Sequence, residues 1–96
     1  MIIGISQITL HLPTAHSLKE KRQIIKSIAA RVRNHFEVAI AEVEENERWQ
    51  VAVFGVSCVS NSHQHVDEVL GHINRYIEET RPDVMITDVR SEIMSW

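Results

Sequence analysis

The segment spanning residues 11–22, HLPTAHSLKEKR, holds the densest cluster of polar functional groups in the chain. Ser17 followed three residues later by Glu20 is a capping box, which predicts that a helix begins here. The first amides of a helix carry the positive end of its dipole and can bind an anion. We therefore expect either a structural cap or an anion-binding turn formed with His11, His16 and Ser17.

A stripe of positive charge follows this cap along the predicted helix. At about 100° per residue, the apolar side chains share one arc and four cations share a second arc beside it. The apolar arc contains Leu18, Ile24, Ile25, Ile28, Ala29 and Val32, and the cations that we call the basic stripe are Lys19, Arg22, Lys26 and Arg33. A basic stripe can bind nucleic-acid phosphates through salt-sensitive contacts that carry no sequence information. It can equally be a solvated helix face.

Lys21 is the exception among these cations, because its direction lies inside the apolar arc. Two interpretations stay open. The side chain either extends past the edge of the core to solvent, as long cationic side chains do, or it enters a pocket at the end of the preceding strand with His11 or His16. Lys21 is kept with the basic stripe as a candidate nucleic-acid-binding residue.

The remaining motifs do not indicate catalysis. His63 and His65 are two residues apart on a predicted helix and point to opposite sides, so they cannot bind one ion. His72 and Glu68 form an ordinary surface pair on one helix face. The HExxH spacing and the Walker, GxSxG, CxxC and dinucleotide-binding glycine patterns are absent. We therefore predict no catalytic residue, no metal site and no cofactor.

Length and composition indicate one cytoplasmic domain spanning residues 1–96. The net charge is -3, but residues 1–36 carry six Lys or Arg against one acid, whereas residues 37–96 carry four against twelve. One face can therefore be basic although the protein is acidic overall. The single cysteine, Cys58, lies in the apolar run VAVFGVSCV, which predicts a buried thiol and a reducing compartment. No apolar run approaches the about 18 residues of a membrane span.

Hydrophobic periodicity predicts six elements that position these residues. Strands are expected over residues 2–12, 37–43 and 49–60, and a last strand opens at Val84 and runs to about residue 93. Helices are expected over about residues 18–35 and from Asn61 and Ser62 to Thr80. This order predicts an α+β, ferredoxin-like βαββαβ sandwich, with a four-stranded antiparallel sheet and two helices on one face.

Two helices can cover only one face of such a sheet. In residues 49–60 one parity carries Trp49, Val51, Val53 and Val59, and the other carries Ala52, Phe54, Val56 and Cys58. An apolar sheet face left bare is unusual on a monomer. We expect a second copy of the chain to cover it, with a partner protein or a tail folded back through Trp96 as alternatives. Stacking of RNA bases on this face is not expected, because the first strand has no aromatic residue.

The segments HLPTAHSLKEKRQIIKSI, VAIAEV, WQVAVFGVSCVSN and HVDEVL resemble the YlxP-like family, a bacterial family of unknown function. The resemblance covers nearly the whole chain, and HSLKEKR is a specific signature. It implies the ferredoxin-like fold and a small cytoplasmic protein. The genes beside family members in many bacteria imply a link to translation initiation or ribosome maturation. Glycine is common in the family where this chain has Thr14, which weakens the expectation of an anion cradle there.

Two hypotheses about function follow. The first is a non-enzymatic accessory factor that binds RNA or a ribosomal subunit through the basic stripe, with Lys21 alongside. The second is an oligomeric module that binds a protein or a small anion, with no role in nucleic-acid binding. A general base at His11 or His16 has no partner residues to support it.

Overall fold

The computed structural model describes residues 1–96 and contains six elements in the predicted order. They are β1 (Ile2–His11), α1 (Leu18–His35), β2 (Ala39–Glu44), β3 (Val51–Ser60), α2 (His63–Thr80) and β4 (Met85–Ser95). The strands form one antiparallel sheet in the order β2-β3-β1-β4. The ferredoxin-like prediction is confirmed, and the predicted ends of the elements differ from the observed ends by no more than two residues.

Even-numbered positions of the two central strands face the helices. Ile8 of β1 lies opposite Phe54 of β3, and Leu10 lies opposite Ala52; all four side chains are buried. The helices complete this core with Ile25, Ile28, Val32, Val66, Leu70, Ile73 and Ile77. Gly4 belongs to the same face, where an added Cβ would collide with Val66. The core therefore lies between α1, α2 and one parity of the sheet.

Odd-numbered positions of β1 and β3 form the opposite face, which we call the open sheet face. Ile5 is 40% exposed there and Val59 is 61% exposed. A shallow concavity of about 550 Å³ crosses all four strands on this side. The structure thus assigns Val51, Val53 and Val59 to the open sheet face.

The two ends of the chain meet at one end of the sheet. The amino group of Met1 donates to the carbonyl of Trp96 at 2.9 Å, and the Trp96 amide donates to the Met1 carbonyl at 2.8 Å. Trp96 nevertheless remains 88% exposed. The tail therefore does not fold back to cover the open sheet face. No helix of the structure combines the length and the hydropathy that a bilayer crossing requires.

Cys58 is a free, buried thiol on the helix-facing side of β3. Burial raises the pKa of this thiol above its ordinary value. Because the thiolate is the reactive species, a raised pKa keeps the group unreactive at neutral pH. Cys58 is a core residue.

Candidate functional site

The helix cap at the start of α1 is built by the predicted capping box. The Ser17 Oγ accepts a hydrogen bond from the Glu20 amide at 3.1 Å. The Glu20 carboxylate accepts from the His16 amide at 2.7 Å, one residue earlier than in the usual box. The cap is confirmed, and a carboxylate of the chain itself lies at the positive end of the helix dipole.

Gln50 fixes the turn that precedes the cap. Its Nε2 donates to the carbonyls of Ala15, at 3.2 Å, and Pro13, at 3.4 Å. Its own carbonyl accepts from the Leu12 amide at 2.8 Å and lies 3.1 Å from the Nδ1 of His11. No local sequence pattern identifies Gln50 as part of this turn, because the residues that it contacts lie 35 or more positions earlier.

These contacts give the predicted anion-binding residues a part in folding. His11 is held by Gln50, the His16 amide is held by Glu20, and the Ser17 hydroxyl caps α1. An external anion at this turn would have to displace the Glu20 carboxylate. The structure brings together no group of three or more His, Cys, Asp or Glu side chains suited to a metal ion.

Lys21 is buried, with only 1% of its surface exposed. Its ammonium nitrogen lies 2.8 Å from Oε2 of Glu42 and donates to the Glu45 carbonyl at 2.6 Å. The Glu42 oxygen is itself buried and accepts no well-aligned hydrogen bond, so its contact with Lys21 is an ion pair. Glu45 has a φ of 62°, in the left-handed region that is uncommon for residues other than glycine.

Both sequence interpretations of Lys21 are therefore wrong. The side chain does not reach solvent, and its partners are Glu42 and Glu45 rather than a histidine. It ties the start of α1 to β2 and to the β2–β3 connection. Its burial removes Lys21 from the surface that a nucleic acid could touch.

The basic stripe itself is on the surface. Lys19, Arg22, Lys26 and Arg33 are all exposed. The first three take part in none of the ion pairs of the structure. Arg33 donates from Nη2 to the Ile40 carbonyl at 2.8 Å, which places the stripe on the flank of α1 that lies beside the edge strand β2. Three cations are therefore collinear, exposed and free of acidic partners.

Comparison with known proteins settles the family. The family described as "Protein of unknown function (DUF503)" matches residues 3–91. The chain belongs to the DUF503 family. Uncharacterized protein YlxP of Bacillus subtilis (strain 168) is 34% identical to this DUF503 chain over 91 residues, which cover 95% of the chain and 98% of that protein. The YlxP-like resemblance is confirmed, and the DUF503 family is one of unknown function.

Solved structures show the fold of this DUF503 chain. The de novo designed protein LFR1 1, which has a ferredoxin fold, aligns with a TM-score of 0.56 and 13% sequence identity. The alignment covers 100% of the DUF503 chain and 87% of the designed protein. A dimeric ferredoxin-like protein from an uncultured marine organism aligns with a TM-score of 0.51 and 8% sequence identity. The alignment covers 100% of the DUF503 chain and 98% of the marine protein. At these identities the likeness shows the fold alone.

Proposed function

We propose that the protein is a non-enzymatic cytoplasmic binding factor whose basic stripe holds the phosphates of a structured RNA or of a ribosomal subunit. The observation that carries the proposal is that Lys19, Arg22 and Lys26 are exposed, collinear and without acidic partners. Cations that neutralise phosphates release condensed counterions, which favours binding. A role in translation or ribosome maturation fits such a partner.

The geometry of the stripe suits a polyanion better than a small anion. At about 1.5 Å per residue, the stripe extends about 21 Å from Lys19 to Arg33, so it can follow several phosphates rather than enclose one. The exposed acids Glu44, at the end of β2, and Glu47, in the β2–β3 connection, lie near the start of α1, because Lys21 binds this connection through the Glu45 carbonyl. Because these acids repel phosphates, we place the main contacts on Arg22 and Lys26, further along the helix.

The test is a double charge reversal, Arg22→Glu with Lys26→Glu. We expect it to abolish co-sedimentation with ribosomal particles at low salt, and to reduce the salt slope of RNA binding by about two. Both side chains are exposed, so the melting temperature should not change. The measurements are sucrose-gradient sedimentation of a lysate at two salt concentrations and titration of the purified protein with ribosomal RNA.

The matched control is Arg31→Glu with Arg48→Glu, which changes the net charge equally at two exposed cations outside the stripe. This control should sediment as the unaltered protein does. Co-sedimentation that survives the stripe reversal at moderate salt contradicts the proposal. An equal loss in the control would show that net charge rather than the stripe governs binding.

The open sheet face favours a second candidate function, an oligomeric protein- or anion-binding module in which another copy covers this face. The supporting observation is that Ile5 of β1 and Val59 of β3 are both large, apolar and substantially exposed on this face. Burial of such surface in a symmetric interface would remove it from water.

Single substitutions Ile5→Asp and Val59→Asp test the open sheet face. Because neither side chain belongs to the core, both variants should fold, but each would place a carboxylate in the interface. We expect the assembly mass measured by light scattering to fall by half. A mass unchanged in both variants rules out the open sheet face as an interface between copies.

A further inference from the structure

The outer flank of α2 carries five exposed residues that are spaced symmetrically about Gly71. Side chains at equal distances on either side of this glycine are complementary in chemistry. The five residues are Gln64, Asp67, Gly71, Arg75 and Glu78, so the spacing on either side of the glycine is four residues and then three. If two copies of α2 lie antiparallel with Gly71 at the crossing, Asp67 faces the partner's Arg75 and Gln64 faces the partner's Glu78. Each of these favourable pairs occurs twice. The flank is therefore complementary to itself.

Gly71 has no explanation within one copy of the chain. Glycine destabilises the interior of a helix relative to alanine. Apart from its chain neighbours and the backbone of its own helix, nothing in the protein lies within 4 Å of the place where a Cβ on Gly71 would stand. The packing of the single chain therefore does not require glycine here.

The strand β4 shows the same self-complementarity. It is an edge strand, and its pairing with β1 is regular from Asp88 to Ser95 after a bulge. If two copies of β4 pair antiparallel about Ser91, Arg90 lies opposite the partner's Glu92 and Val89 lies opposite the partner's Ile93. Val89, which is 38% exposed in the single chain, becomes covered. This pairing would also satisfy the free backbone groups of the edge.

The residues at the centres of these two self-pairings, Gly71 and Ser91, lie close together in the molecule. Gly71 of α2 and Ser91 of β4 line one groove of about 340 Å³. The Oδ1 of Asn74, a residue that also lines this groove, is buried and accepts no hydrogen bond. Val66 and Leu70 of α2 lie over Gly4 of β1, so edge pairing sets the two α2 helices about three strand spacings apart, or about 14 Å. That separation is wider than the about 8–10 Å of closely packed helices, so the contact between the helices is made by the long Arg75 side chain and the partner's Asp67.

We propose that two copies of the chain associate about a two-fold axis that passes by Gly71 and Ser91. The axis joins β4 to the partner's β4, which makes one eight-stranded sheet, and brings the flank of α2 that carries Asp67 and Arg75 beside the same flank of the partner's α2. The surface is distinct from the basic stripe and from the open sheet face, and it leaves both accessible. The exposed charge pairs set the register, while backbone hydrogen bonds and apolar burial supply the affinity.

The first test reverses a charge and then restores the pair. Arg75→Glu places a carboxylate against the partner's Asp67, and we expect the dissociation constant of the dimer to rise about tenfold or more. Adding Asp67→Arg to the same chain should restore association, because every glutamate then faces an arginine of the partner. Sedimentation equilibrium, with a chain mass of 11.0 kDa, measures both. A monomeric unaltered protein, an Arg75→Glu variant that associates normally, or a failed restoration overturns the proposal.

The second test fixes the register by crosslinking. Antiparallel neighbours have Cα atoms about 4.5–5.5 Å apart, within the reach of a disulfide, so Ser91→Cys should form an intermolecular disulfide under air oxidation. Ser95→Cys is the matched control, because the predicted register places it opposite the partner's Thr87. The disulfide should also form when Ile5→Asp is added, since that residue lies on the open sheet face. No crosslink at Ser91, or an equal crosslink at Ser95, overturns the register.

Discussion

Replacing Lys21 with alanine is expected to lower the free energy of unfolding by about 3–5 kcal/mol, because the change leaves a largely buried carboxylate without its partner. Glu42 loses the ammonium that lies 2.8 Å from its Oε2, and the Glu45 carbonyl loses its donor. A small domain is stabilised by only about 5–15 kcal/mol in total, so the loss is a large fraction. Urea denaturation followed by circular dichroism measures it.

A double substitution separates the charge effect from the packing effect. Lys21→Met with Glu42→Leu removes both charges and keeps similar side-chain volumes, so it should recover most of the stability. Lys26→Ala, an exposed lysine one and a half turns along the same helix, should change the free energy of unfolding by less than about 0.5 kcal/mol. If the double variant is no more stable than Lys21→Ala, the unpaired carboxylate is not the cause of the loss.

Lys21 also divides the HSLKEKR signature into two parts. Ser17, Glu20 and Lys21 make the cap and the buried ion pair, and their contacts are all within the chain. Lys19 and Arg22 make no ion pair and are exposed. Variants of the first group should therefore affect folding, and variants of the second should affect binding only.

The second large effect is expected from Phe54→Ala, which should cost about 3–5 kcal/mol because it removes a fully buried aromatic ring and leaves a cavity. Phe54 has 0% exposure and packs on the helix-facing side of β3. The midpoint of urea denaturation, with an unchanged slope, would report the loss of stability directly.

Val59→Ala is the control for Phe54→Ala, since Val59 lies on the same strand but on the open sheet face, where it is 61% exposed. In a monomer this change should alter stability by less than about 0.5 kcal/mol. A large loss from Val59→Ala at a concentration that favours monomers would show that the assignment of the two strand faces is reversed.

Much of the fold could be predicted because it follows from local pattern. The capping box placed the start of α1 at Leu18, and the run WQVAVFGVSCVS predicted a central strand. The order of the elements then limited the topology, because crossovers are right-handed and connections are short. The basic stripe was also predictable, since helix geometry alone brings Lys19, Arg22 and Lys26 onto one side.

The partners of buried polar groups could not be predicted in the same way. Periodicity placed Lys21 in the apolar arc, but Glu42 and Glu45 lie more than twenty residues later, on a different strand and connection. Gln50 contacts the turn at Pro13 across an even longer separation, 37 residues. A sequence pattern can indicate that a buried lysine needs an acid, but it does not say which acid the fold brings there.

The sequence by itself determined the elements, their order and the charge carried by α1, because these depend on backbone geometry and on side chains close together in the chain. Only the tertiary structure decided that Phe54 faces the helices, that Lys21 is paired inside, and that Gly71 and Ser91 share a groove. Both parities of β3 are apolar, so hydrophobicity could not choose between them. That choice depends on how the helices pack on the sheet, and packing is a property of the whole chain.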